Sequence, residues 1–217
     1  HDKKNIKIKE IQRTFVKNPS PICYPKPSFE KNNTPIVISF NNNYAPYAGI
    51  LIKSIIDNSD KNKNYDIFIY DGGISNVNKQ YIRNLSQNNT NVNITFLDVE
   101  PIFSKYNLYS HSHFSVDMYY RLYIPEVFVN FDHVIYIDSD TLVRKDIADI
   151  LEIDLNGNSI AAVRDCAMQG FIKNKIRSSQ ETHSLEADVY LKIYLGIQNN
   201  NDYFQSGVLI FDIKKSL

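Results

Sequence analysis

Two aspartates one residue apart, Asp138 and Asp140, close the apolar run of "HVIYIDSDTLV" (residues 133–143). Carboxylates this close repel one another, and each pays desolvation when it is drawn out of water, so the pair calls for a compensating cation. Residues i and i+2 of an extended segment face the same side. Asp138 and Asp140 can then hold one hard divalent ion, Mn2+ or Mg2+, which prefers carboxylate oxygens and leaves part of its shell to substrate phosphates. An ion held this way can grip a diphosphate and stabilise it as it leaves. The competing reading is a solvated turn in which Asp140 caps the segment "TLVRKDI".

The surrounding elements must carry the pair to an edge. "PIVISF", "YDIFIYD", "VNITFLD", "HVIYID", "SIAAVRD" and "YFQSGVLIFDI" are short runs rich in β-branched and aromatic residues, which predict six strands. Between them, "YAGILIKSIIDNS" predicts a helix with Ile50, Ile52, Ile55 and Ile56 mostly on one face. "SNVNKQYIRNLSQ" predicts a helix capped by Ser75 or Asn76. "SVDMYYRLYIPEVF" predicts a helix that runs to Pro125. This alternation implies an α/β fold, a mostly parallel central sheet with helices on both faces. Ligands of such sheets bind beyond the carboxyl ends of the strands, where the fourth strand would deliver Asp138 and Asp140. Residues 1–34 read as an extended lead-in or linker, because "NPSPICYPKPSF" holds four prolines; residues 35–217 read as one domain.

Composition narrows the class. The 217 residues are 43% hydrophobic and 12% aromatic, enough for a sizeable core. Lys plus Arg and Asp plus Glu number 24 each, which argues against a nucleic-acid protein that works through a basic surface. Cys23 and Cys166 make neither a metal framework nor a disulfide scaffold and read as reduced thiols. Triplets such as Asn84-Leu-Ser and Asn93-Ile-Thr are expected by chance in a chain this rich in Asn and fix no compartment. No apolar run reaches spanning length, so a cytoplasmic core without a transmembrane segment is expected.

Five stretches in order, "ISFNNNYAPYAGILIKSI", "DGGISNVNKQ", "DMYYRLYIPE", "VIYIDSDTLVRKDI" and "YFQSGVLIFDIKK", give the chain from about residue 36 to 215 a specific resemblance. It resembles family 8 of the glycosyltransferases, the retaining group that includes lipopolysaccharide galactosyl- and glucosyltransferases and glycogenin. The resemblance implies a GT-A fold, a UDP-sugar donor and Mn2+ or Mg2+. It implies transfer of a hexose, glucose or galactose, to a hydroxyl of a glycan or glycolipid acceptor. Asp138 and Asp140 match the family's metal-binding D-x-D, with Asp138 also near the donor sugar or ribose and Ser139 between them on the nucleotide side. Asn43 and Tyr44 match the loop that holds base and ribose, where a Tyr can stack on uracil. Arg121 matches an Arg near the donor sugar and diphosphate. Asp165 matches an Asp near the acceptor or sugar hydroxyls, and His113 a position near the acceptor in some relatives.

Two positions depart from the family pattern. Asn41 stands where relatives carry an Asp that contacts uracil; it keeps an acceptor and loses the charge. Gln205 stands where relatives carry Asn facing the sugar. The resemblance also implies a further helix, an Asp and Gln of the catalytic region, a His that completes the metal site and a basic tail that reaches membranes peripherally. No residue of the chain can be assigned to these, so the domain is expected to be incomplete at its C-terminal side. No carboxylate stands out as a nucleophile for the sugar carbon, which favours same-face attack. Two rival readings remain: a non-catalytic nucleotide-sugar or glycan-binding module on the same fold, and a haloacid-dehalogenase-like phosphatase. The latter's D-x-D continues with a spacer before Thr or Val, whereas Thr141 follows Asp140 directly.

Overall fold

All six runs form strands, and they join one sheet. In the computed structural model, which describes residues 24–103, 108, 116–177 and 185–217, the strands are β1 (Asn33–Asn41), β2 (Asn64–Gly72), β3 (Val92–Leu97), β4 (His133–Ile137), β5 (Ile160–Arg164) and β6 (Phe204–Asp212). Their order is β3-β2-β1-β4-β6-β5. β1 to β4 are mutually parallel; β6 runs antiparallel to both β4 and β5. Burial on both faces explains the unbroken apolar character of β1, buried from Thr34 to Phe40.

Side chains alternate across the sheet and feed two cores. On one face Ile36, Ile38 and Phe40 meet Leu51, Ile52 and Ile55 of α1 (Ala45–Asp57). On the other, Val37, Phe68 and Tyr70 meet Tyr120, Ile124 and Phe128, with the Phe68 and Phe128 rings edge to face at 5.1 Å. The buried stripe of α1 is Ala48, Leu51, Ile52, Ile55 and Ile56, the spacing of one helical face. Ile50 falls off that stripe and is 61% exposed, contrary to the sequence expectation. α2 (Asn76–Asn84) starts as expected at Ser75, whose hydroxyl accepts the Asn78 N–H at 3.3 Å.

The third predicted helix is different. Val116–Tyr123 is 3₁₀, and after the short α3 (Glu100–Phe103) the next α-helical turn, α4 (Ile124–Val127), carries Pro125 in its first turn. A proline has no N–H and crowds the carbonyl four residues back, so it starts a helix here rather than ending one. The remaining helices are α5 (Cys166–Lys173), α6 (Ala187–Tyr194) and α7 (Ile213–Ser216). From Tyr24 the lead-in lies against the domain: Ser28 N–H donates to Asp66 at 2.9 Å and Asn130 to the Pro25 carbonyl at 2.9 Å.

Successive strands pass from β1 through β2 to β3 on one side, and β4 then begins the other. At such a reversal open α/β sheets hold their ligand crevice, outside the carboxyl ends of the strands, here β1 and β4. Asn41 ends β1 and Asp138 follows β4, so the two candidate stretches flank that crevice. Because β6 is antiparallel, its first residues lie at the same edge as the last residues of β4, with Val208 opposite Ile137.

Candidate active site

Asp138 is held from several sides. Its backbone N–H donates to the Gly207 carbonyl at 2.8 Å. Its Oδ1 accepts the Tyr136 hydroxyl at 2.8 Å and pairs with Arg121 Nη2 at 2.9 Å. Arg121 is buried; its Nε donates to the Met118 carbonyl at 2.9 Å and its Nη1 to the carbonyl and hydroxyl of Ser206 at 2.5 and 3.2 Å. The guanidinium carbon lies 4.5 Å from the centre of the Tyr136 ring, a cation–π contact. Burial pushes the Tyr136 phenol well above its ordinary value and the Asp138 charge adds to that, with Arg121 opposing. At neutral pH it therefore stays protonated and donates.

The repulsion posed by the two aspartates is thus answered for Asp138 by Arg121. The extended-strand argument does not carry past Ile137, where β4 ends. Ser139 and Asp140 form a turn closed by Thr141 N–H on the Asp138 carbonyl at 3.2 Å. Ser139 is buried and Asp140 is exposed.

Gln205 and Gly207 shape the wall beside Asp138. Along β5, Ala162 pairs with Leu209 and the next residue, Val163, with Gln205. Ser206, Gly207 and Val208 therefore bulge away from β5, while Val208 stays paired with Ile137 of β4, and such bulges re-aim side chains. The Gln205 side chain folds back, with Oε1 accepting the Gly207 N–H at 2.8 Å. A Cβ on Gly207 would sit 2.5 Å from Asp138 Oδ2 and collide with the Gln205 amide; only glycine admits both side chains there.

The loop after β1 forms the opposite wall. Asn41 caps the 3₁₀ turn Asn42–Tyr44, with Oδ1 accepting the Asn43 N–H at 3.0 Å, and its Nδ2 donates to Asp117 Oδ2 at 2.9 Å. Asn42 Oδ1 accepts Ser75 N–H and Asn78 Nδ2, both at 2.9 Å, and so pins the turn to the start of α2. Tyr44 and Tyr47 are exposed, with ring centres 5.7 Å apart. Asp165 follows β5 at the same edge and accepts the Met168 N–H at 2.8 Å as the cap of α5. Its charge, after burial, helps to raise the Tyr203 phenol. His113 lies outside the described residues.

The structure thus brings Asp138, Arg121 and Gln205 into direct or shared contact, joins Asn41 to Asn43, and sets Tyr44, Asp140 and Asp165 on the same edge. Sequence reasoning missed Tyr136, Ser206, Gly207, Asn42 and Asp117. Asp117 left a trace, a lone carboxylate in the aromatic run "DMYYR"; the others left none.

Among the described residues no group of three or more His, Cys, Asp or Glu is arranged to hold a metal. The donor set present is two hard carboxylates, with Asp138 Oδ2 kept clear of a side chain by Gly207. That fits Mn2+ or Mg2+ taking the rest of its shell from phosphate and water.

The sequence profile described as "Glycosyl transferase family 8" matches residues 35–216. The chain belongs to glycosyltransferase family 8. It is 28% identical over 185 residues to General stress protein A of Bacillus subtilis (strain 168), covering 82% of this chain and 56% of that protein. It is 30% identical over 181 residues to a putative glycosyltransferase of Haemophilus influenzae, covering 83% and 48%. The chain thus spans about half the length of these relatives. Among solved structures it resembles the apo form of the WbbM bifunctional glycosyltransferase, with a TM-score of 0.78 and 39% identity over 88% of this chain and 33% of that one. It also resembles the galactosyltransferase LgtC in complex with donor and acceptor sugar analogs, with a TM-score of 0.60 and 27% identity over 84% and 59%. The sheet described above is the GT-A arrangement of this family. No helix among the described residues is long and apolar enough to cross a membrane.

Proposed function

We propose that this family 8 domain belongs to a retaining glycosyltransferase that moves a hexose, glucose or galactose, from a UDP-sugar to a hydroxyl of a glycan or glycolipid. The observation that carries the reading is the Asp138 carboxylate at the switch-point edge, oriented by Arg121 and Tyr136 and faced across the crevice by the Asn41–Tyr44 loop. The likeness to LgtC, solved with donor and acceptor sugar analogs, supports the class of substrates.

In this reading Asp138 and Asp140 hold Mn2+ or Mg2+, which when bound offsets the charge that builds on the departing diphosphate. Arg121 keeps Asp138 in one orientation through a charge-assisted bond and ties it to β6 through Ser206. Tyr44 offers a face for the base to stack on, and Asn43 lines the ribose side. Ser139 shapes the nucleotide side of the turn. Gln205 presents an amide to sugar hydroxyls, and Asp165 a carboxylate to acceptor or sugar hydroxyls.

The test is release of UDP from UDP-glucose and UDP-galactose, with MnCl2, by the whole protein. Asp138→Asn should lower turnover by roughly a hundredfold or more, and Asp140→Asn should lower it and raise the Mn2+ requirement. Unchanged turnover in both variants would remove the metal role. Binding of UDP with no release from any UDP-sugar would leave the non-catalytic module instead.

A further inference from the structure

The Asn41 side chain is fixed by two partners of opposite kind. The Asn43 N–H, which can only donate, takes Oδ1; the Asp117 carboxylate, which when ionised can only accept, takes Nδ2. Turning the amide over would set oxygen against carboxylate and N–H against N–H, losing both bonds and adding repulsion. Asp117 is itself anchored. It is buried, its carbonyl accepts the Ser39 hydroxyl at 2.8 Å, and a Cβ on Gly72, the β2 residue paired with Asn41, would collide with its carboxylate.

An amide has two acceptor lone pairs and two hydrogens. With one of each engaged, Asn41 still has one acceptor and one donor to offer. It lies half-buried at the switch-point crevice, next to the exposed Tyr44 face. A free asparagine there would not discriminate between pyrimidines. It would pair with uracil, which presents the N3 hydrogen beside the O4 acceptor, and after a flip with cytosine, which presents the N3 lone pair beside an amino group.

We infer that Asp117 is a specificity-determining positioning residue: by locking the Asn41 amide with its oxygen opposite base N3 and its nitrogen opposite position 4, it selects uracil over cytosine. Asp117 acts through Asn41 rather than by touching the base. The inference rests on the proposed UDP-sugar donor and adds to it a physical means of choosing the nucleotide.

Calorimetric titration of the full chain with UDP and with CDP, in buffer containing Mn2+, tests it. The unaltered chain should bind UDP about tenfold or more tightly than CDP. In Asp117→Asn the new amide can offer oxygen or N–H, so only the Asn43 N–H still opposes the flip, and the ratio should fall to within about threefold. Asn41→Ala should abolish the preference, and adding Asp117→Asn to it should change the ratio no further. A preference that survives Asp117→Asn or Asn41→Ala would overturn the inference while leaving UDP-sugar turnover to stand by its own assay. So would an additional fall in the double variant. Should Asp117→Asn not fold, judged by circular dichroism, Asn41→Ala alone carries the test. If the unaltered chain binds neither nucleotide, this inference and the UDP-sugar reading fail together.

Discussion

At the scale of single residues, position matters more than identity. Asp138 is one of many aspartates, but it alone among the described residues meets a buried guanidinium at 2.9 Å and a buried phenol at 2.8 Å on the same oxygen. Arg121 makes the arrangement specific, because its planar fork reaches Met118, Ser206 and Asp138 at once. Arg121→Lys supplies charge without the fork. It should lower stability by about 2 kcal/mol in chemical denaturation and reduce UDP-sugar turnover with it. A contrasting residue is Tyr70, whose fully buried hydroxyl finds no hydrogen-bond partner among the described residues. Its phenol is raised well above its ordinary value by burial alone. Tyr70→Phe removes an unsatisfied polar atom and keeps the ring against Tyr120 and Phe128. It should leave stability unchanged or raise it by about 1 kcal/mol in the same measurement.

At the scale of elements, the bulge of β6 and the mooring of β2 do separate jobs. The bulge needs glycine at 207 because Asp138 and Gln205 crowd it. Gly207→Ala should displace those flexible side chains more than the strand, so turnover should fall roughly a hundredfold while the melting temperature moves little. The mooring lies at the opposite edge, where the Tyr65 hydroxyl donates to Asp146 at 2.7 Å and Lys63 pairs with Asp146 at 3.0 Å and Asp149 at 2.8 Å. Partial burial pushes the Asp146 carboxyl up, but bonds from Tyr65, the Ala148 N–H and Lys63 outweigh it and hold the group below its ordinary 3.8. A carboxyl depressed in the folded state stabilises above its unfolded value, and that contribution is lost as pH falls through the folded one. Asp146→Asn should therefore cost about 1–2 kcal/mol at neutral pH and flatten the loss of stability below about pH 4, read from denaturation curves across that range.

At the scale of the whole molecule, the proposed donor and ion would bind the folded chain and not the unfolded one, so mass action should stabilise the fold. UDP with Mn2+ at a hundred times the dissociation constant should add about 2.7 kcal/mol, seen as a rise in melting temperature that a chelator reverses in part. The six strands, α1 and α2, the α/β class and the edge that bears Asp138 were legible in the sequence, because apolar periodicity is set by which faces of a local segment meet the core. Legibility failed where a local rule met a neighbour: Ile50 missed the α1 stripe, Pro125 started a helical turn, and the segment beyond Ile137 turned instead of staying extended. The ordered motifs carried the family as well, since each is a short run read without knowledge of its neighbours. The sequence by itself thus determined the strands, the first two long helices and the family. Only the tertiary structure decided that β6 runs antiparallel between β4 and β5, that Arg121 neutralises Asp138, and that Asp117 grips Asn41. Those pairings join residues from 17 positions apart (Arg121 and Asp138) to 79 (His133 and Asp212) along the chain, and they arise from strand order and direction, which hydrophobic pattern does not encode.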